Sequence, residues 1–359
     1  MITSPQALPH STSVAPGATV SQLADLLTRQ QCALLFSTIG GGRLYWLHPD
    51  GAGGLNLGSR TFPQCLGIAV EGDQLAVASG GEVTLLRRFE VGREERRANG
   101  DNDTHWIPRL TYYTGHLQMH DLHFGRAGLW GINTAYSCIG TIDAEYSFRP
   151  RWRPSFVEAA EPEDYCHLNG MAMEAGEPRY VTAFSARGHW RKDRHNGVVI
   201  DLATDRCLVD GLSYPHSPRL YEGELYVLVS GTGELLRIDR QTGVREVLLT
   251  LPGFPRGIVR LGEYLLIGIS QLRDSNLLQG RQTTGAQLAL VHRPSHRLVG
   301  ILALEQFAEA QLYGFEEIYE LQLLPQTRCP QLVNPRQYLK LPAFHQGLFL
   351  PSGPRWNRK

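Results

Sequence analysis

Apolar residues fall in short runs separated by turn residues along nearly the whole chain, as in ALLFSTIGGGRLYWLHP and QLAVASGGEVTLLRRF. Runs of this kind, bounded by Gly, Asn, Asp and Ser, read as β-strands, and their glycine pairs supply the positive φ that tight hairpins need. One stretch departs from the pattern. In SQLADLLTRQ the spacing of Leu23, Leu26 and Leu27 puts three leucines on one face of a short helix, with Ser21 placed to cap it. Residues 1–20, rich in Pro, Ser, Thr and Ala, read as a flexible arm.

The strands recur in a fixed order: a lead-in segment, a short apolar strand, a tight turn, a second strand ending in Ser, Thr or Asn, a glycine-rich turn and a third strand. PHSPRLYEGELYVLVSGTGELLRIDR, FPRGIVRLGEYLLIGIS, MHDLHFGRAGLWGINTAYSCIGTID and CLGIAVEGDQLAVASGGEVTLLRRF carry this order most plainly. CHLNGMAMEAGEPRYVTAFS, completed by GVVIDLATDRCLV, carries it with a longer turn. A spacing of roughly 40 to 60 residues suits four-stranded propeller blades rather than leucine-rich or ankyrin units. Each such unit buries its faces only against its neighbours, so the ring has to close. GFEEIYELQLLPQ is a lead-in with no later strands, and ALLFST, RLYWLH and LNLGS are strands with no lead-in. Joined, they make one blade from both ends of the chain. The prediction is an all-β, six-bladed β-propeller over residues 21–330, closed by pairing of residues 317–323 with residues near 33–38. A C-terminal tail, residues 331–359, is expected to pack on it.

Composition narrows the function classes. Lys+Arg and Asp+Glu number 35 each, for a formal charge of zero, and the basic residues are scattered, so no nucleic-acid partner and no acidic-membrane partner is expected. No apolar stretch reaches the ~18 residues of a membrane-spanning helix. The six cysteines form no C-x-x-C pair, which speaks against a zinc knuckle or a redox dithiol and for buried free thiols. MITSPQALPHSTSVAPGATV has neither a basic nor an apolar leader segment, and a cytoplasmic protein is the expectation.

The stretch YSCIGTIDAEYSFRPRWRPSFVEAAEPEDYCHLNGMAM, followed by GLSYPHSPRL, SGTGEL, LPGFPRGI, IGISQLRD and FEEIYELQLLP, resembles a bacterial family of uncharacterised propeller-like proteins, a domain of unknown function. Some members of that family are fused to tetratricopeptide repeats. The resemblance covers about residues 25 to 330 and implies a fold rather than an activity. After a segment like RYVTAF the family tends to carry Asp-Thr before Gly-Trp-Arg. Here the stretch reads SARGHWRKD, in which Trp190 and Arg191 match and His189 stands beside the missing acid.

In a propeller the innermost strands border the central channel. Aligning the lead-in segments puts Leu66 and Gly67, His120 and Asp121, Leu168 and Asn169, His216 and Ser217, Pro255 and Arg256, and Glu316 and Glu317 around its mouth. His120, His167 and His216, from three successive blades, are the candidate ligands of one divalent transition metal, Zn²⁺, Fe²⁺ or Mn²⁺. His167 is one residue out of register, and His123, on the strand face of Asp121, is an alternative to His120. Asp121, Asn169, Arg256 and Glu316 are the candidate catalytic residues. The two acids and the amide would orient the imidazoles. Arg256 would hold an anionic group, or pair with Glu316 or Glu317. Arg219, Trp152, Trp190 and His123 are candidate substrate contacts, Trp152 as part of YSFRPRWRP, a segment expected to lie over the mouth as a lid. A polar channel plug without a metal is the competing reading of the same residues.

Two functions follow. The first is a metal-dependent enzyme acting on a small molecule or modified peptide, by Lewis-acid hydrolysis, lyase or isomerase chemistry, or by iron–oxygen chemistry. It leans on a fold-level likeness to six-bladed lactonases and streptogramin lyases. The second is a non-catalytic scaffold that binds a peptide or protein partner, which calls for hydrophobic residues on a propeller face. The convergence of His, Asp, Asn, Arg and Glu favours the enzyme. Ser217 beside His216 lacks the strained G-x-S-x-G elbow of a hydrolase, and SGTGE lacks the following helix of a phosphate cradle.

Overall fold

The computed structural model describes residues 12–14, 17–90, 102–158, 161–186, 189–193, 195–271, 285–313 and 317–333. They form six sheets of four or five strands around a central channel, the six-bladed propeller expected. The innermost strands are Leu321–Pro325 in blade I, Cys65–Glu71 in blade II and Leu122–Gly125 in blade III. Leu168–Glu174, Pro215–Tyr221 and Phe254–Leu261 serve blades IV, V and VI.

The ring closes as the sequence pattern demands. Leu321–Pro325 pairs antiparallel with Cys32–Thr38, Phe36 opposite Leu321 and Cys32 opposite Pro325. Tyr319 N donates to Ser37 O and Ser37 N to Glu320 O, which carries the pairing to the channel. Beyond this clasp, Pro330–Leu332 runs parallel to Thr104–Tyr113 on the outer edge of blade II, and Arg60 of blade I donates Nε–H to Leu332 O at 2.7 Å. Within the segment expected to be a flexible arm, Thr12–Val14 pairs with the outer strand of blade I. The helix starts earlier than expected, at Ala18, with Gly17 as its N-cap. Ser21 therefore lies inside the helix rather than at its cap. Val20, Leu23, Ala24 and Leu27 form its buried stripe, packed against blades I and VI.

Period-2 alternation lets each blade serve two interfaces. In Glu224–Val229 of blade V, Leu225, Val227 and Val229 pack toward blade IV, whereas Tyr226 and Leu228 pack toward blade VI. Such strands are buried on both faces and so read as continuous apolar runs.

The hydroxyl at the end of the second strand has a defined partner. Ser37 Oγ donates to Leu66 O at 2.5 Å, Thr134 Oγ1 to Leu168 O at 2.6 Å, Ser230 Oγ to Pro255 O at 2.6 Å and Ser270 Oγ to Ile318 O at 2.9 Å. Each is a buried latch from one blade to the lead-in of the next. Replacing Thr134 with the isosteric Val leaves Leu168 O unpaired and should cost about 1–3 kcal/mol in urea denaturation, while Thr134→Ser should retain most of the stability. Equal stability of Thr134→Val and wild type would show that the latch contributes nothing.

Candidate functional site at the channel mouth

The latches fix which residues are equivalent around the ring. Leu168, Pro255 and Ile318 all supply the latched carbonyl, so Asn169, Arg256 and Tyr319 follow it at matching places. Blade I therefore presents Tyr319 and Glu320 toward the channel axis, one and two residues past the latched carbonyl of Ile318, while Glu317 lines the wall of the mouth, as expected. Glu316 lies outside the described residues. Glu317 sits further out, its Oε1 accepting from Ile39 N at 3.0 Å and Gly40 N at 2.8 Å.

Below the mouth the channel is sealed by ions. Arg219 donates Nη1–H to Asp121 Oδ2 at 3.1 Å and to Met171 O at 3.1 Å, and its Nη2 lies 2.9 Å from Glu320 Oε1. All three side chains are buried. Burial alone would raise the Asp121 pKa, but Arg219, with His123 and Met171 N, brings it down to about 2. Glu320, desolvated and beside the Asp121 charge, is held up at about 7 despite Arg219. Asp121 and Arg219, expected as a catalytic group and a substrate contact, are thus partners in an internal ion triad. His123 is drawn the same way, its Nε2 3.2 Å from Asp121 Oδ1, and it lines no part of the mouth. Gly67 completes the seal: a Cβ there would come within 3.0 Å of the Asp121 backbone.

Above the triad opens a cavity of about 450 Å³, and His120, His167, His216, Arg256 and Trp190 all line it, as expected. Its walls also include Phe184, Tyr214, Phe254 and Tyr319, aromatic residues that sequence reasoning passed over, together with Ile39, Ser270, Gln271 and the expected Glu317. The Arg256 guanidinium carbon lies over the Tyr319 ring, 3.4 Å from its centroid. The Tyr319 hydroxyl is buried beside the Arg256 guanidinium. Trp152 is elsewhere. Arg149–Trp152 is the outer strand of blade III, paired with Cys138–Ile142, so YSFRPRWRP is a blade edge and not a lid. Trp152 lines a separate cavity with Tyr136 and Phe148.

Hydrogen bonds assign a proton to each imidazole. Asn169 Nδ2 donates to His120 Nδ1 at 3.0 Å, which leaves the His120 proton on Nε2. His167 Nδ1–H donates to the Asp164 carboxylate at 2.9 Å, leaving Nε2 as an acceptor. Trp190 Nε1 holds the same carboxylate at 2.9 Å. Asp164 stands three residues before His167 in DYCH, a spacing that could have flagged it. His216 Nδ1–H donates to Tyr214 O at 2.9 Å and reaches Ser230 Oγ at 2.7 Å, whose own proton goes to Pro255 O. Its Nε2 is therefore also an acceptor. Burial lowers the pKa of all three rings, and Arg256 adds to the effect at each; Asp164 offsets part of it at His167. All three are neutral at pH 7.

This arrangement differs from the expected ligand set. His120 and His167 are neighbours, with centroids 4.8 Å apart, but the Phe184 ring packs against both His167, at 4.4 Å, and His216, at 5.1 Å. His120 turns an N–H rather than a lone pair outward. Among the described residues no three His, Cys, Asp or Glu side chains converge as metal ligands.

A family model described as a domain of unknown function (DUF4915) matches residues 21–333. No curated protein matches the chain in sequence. Among solved structures, a chain of the nidogen/laminin complex is similar with a TM-score of 0.55 at 14% identity, covering 82% of this chain and 99% of that one. A protein of unknown function from Bacteroides caccae gives 0.50 at 10% identity, covering 82% and 98%. At such identities the likeness is one of fold. No helix of the described residues is long and apolar enough to cross a membrane.

The buried histidines predict a pH dependence of stability. Below the ordinary histidine value of 6.5, the unfolded chain takes up protons that native His120, His167, His216 and His48 refuse. Their contribution is therefore flat above that value, falls as pH drops below it, and levels off once the native pKa values are passed. Glu320, raised to about 7, acts in the opposite sense and offsets part of the fall. Urea denaturation between about pH 7.5 and 5 should show a shallower loss for His216→Gln than for wild type, and identical slopes would contradict the assignment.

Proposed function

The chain belongs to the DUF4915 family, and from that premise we propose that its channel mouth binds a small molecule and moves a proton on it, with His167 as the base. The observation that carries this reading is the Asp164–His167 pair, which leaves a neutral imidazole with a free Nε2 in the wall of a mostly aromatic cavity. A carboxylate on Nδ1 fixes the tautomer and stabilises the imidazolium that forms when Nε2 takes a proton. The proton leaves the substrate for His167 Nε2, and the electron pair stays on the substrate. His120 Nε2–H, on the adjacent ring, is the donor available to an oxygen that gains that charge. Lyase or isomerase chemistry of this kind uses only groups in the chain. The three-histidine metal centre is not needed for it, and the Phe184 ring and the His120 proton both weigh against that centre.

A docking role for the mouth finds less support. The large exposed hydrophobics among the described residues, Leu110, Tyr113, Tyr146, Val244, Val247, Leu298 and Val299, lie on or beside the outer strands of four different blades, and none of them lines the mouth.

The test is untargeted mass spectrometry of a metabolite extract incubated with the purified chain and with His167→Gln. Wild type should convert a small molecule that His167→Gln still binds but converts about 10²–10⁴-fold more slowly, the usual contribution of a general base. Undiminished conversion by His167→Gln would overturn the proposal. So would stoichiometric Zn²⁺, Fe²⁺ or Mn²⁺ on the purified chain that is lost alike in His120→Ala, His167→Ala and His216→Ala.

A further inference from the structure

We infer that the molecule this mouth takes is a planar hydroxyaryl carboxylate, its carboxylate on Arg256 and its ring among Phe184, Trp190 and Phe254. The inference rests on the acid–base reading above and names its substrate class.

The cation comes first. Arg149, Arg179, Arg237 and Arg240 each hold an acidic partner, whereas Arg256, half-buried in the cavity wall, makes no ion pair with any described residue. Its guanidinium carbon lies 3.4 Å from the centroid of the Tyr319 ring, and a guanidinium held there can donate two N–H groups at once to a carboxylate. An anionic ligand group would supply the ion pair that Arg256 lacks among the described residues.

The walls then select shape. Phe184, Trp190, Tyr214, Phe254 and Tyr319 line the cavity, and Phe184 and Trp190 pack against the His167 ring at 4.4 and 4.6 Å, so the wall is a continuous set of aromatic faces and edges. A flat group fills such a space with offset or edge-on contacts, and about 450 Å³ falls within the range of small-molecule sites.

Charge and proton inventory complete the specification. Among the described lining residues Arg256 is the one positive charge, since the imidazoles are neutral and Glu317 adds a negative one. A phosphate dianion would bring a second charge with no described cation to meet it, so a carboxylate fits better. His167 and His216 each leave Nε2 as an acceptor, and a ligand hydroxyl can donate to one of them.

The experiment is calorimetric titration of the full chain with 4-hydroxybenzoate, compared with 4-hydroxybenzamide, which has the same shape without the charge, and with phenyl phosphate. The acid should bind at least about tenfold tighter than the amide and than phenyl phosphate, and Arg256→Met should lose about tenfold or more of its affinity. His167→Gln should keep the preference for acid over amide, so a failure of the base reading would leave this inference standing. Equal binding of acid and amide by wild type, tighter binding of phenyl phosphate, or unchanged affinity in Arg256→Met would overturn it. The wild-type ligand comparison decides alone should Arg256→Met fail to fold.

Discussion

A single buried hydrogen bond, from a Ser or Thr hydroxyl at the end of one blade's second strand to the lead-in carbonyl of the next blade, organises the ring. It appears at Ser37, Thr134, Ser230 and Ser270. Because the carbonyl it holds lies immediately before the channel-facing residue, the latch also aims that residue. Ser230 shows the coupling most directly, since the hydroxyl that latches Pro255 also receives the Nδ1 proton of His216. Blade-to-blade packing and the placement of the mouth residues are thus one constraint.

Beneath the mouth, the Asp121–Arg219–Glu320 triad draws on blades III, V and I at once. A buried triad is an uncertain source of net stability, yet removing one partner would strand the others in a dry site. It divides the channel into a closed lower part and an open cavity. It also explains why the candidate acid and one candidate arginine belong to the scaffold: at the innermost position of a propeller, charge that meets its counter-charge across the axis is spent on holding blades together.

Much of this was legible in the sequence, for physical reasons. The strand ending in Ser or Thr recurs because the latch requires a hydroxyl, and the mixed blade follows from a lead-in without strands and strands without a lead-in. His120, His167, His216, Arg256 and Trp190 meet in one cavity because equivalent lead-in positions face one axis. The failures are equally specific. FEEIYELQLLP has two acids near the lead-in register, which points to Glu316 and Glu317; only the latch at Ile318 shows that Tyr319 and Glu320 are the residues that follow the latched carbonyl, with Glu317 in the cavity wall and Glu320 in the triad beneath it. Trp152 looked like a lid because strand pairing at a blade edge has no sequence signature apart from alternation, which the Arg/aromatic run obscures. Phe184, the ring that parts His167 from His216, reads as an ordinary strand-end apolar residue.

The location of three imidazole protons decides whether His167 is poised as a base. Long-range ¹H–¹⁵N correlation spectra of the imidazoles at neutral pH report tautomer and charge directly. The predicted result is three neutral rings, protonated at Nε2 in His120 and at Nδ1 in His167 and His216, with the His167 pattern changed by Asp164→Asn. A His167 that is charged, or that carries its proton on Nε2, would contradict the claim that Asp164 holds it ready as a base.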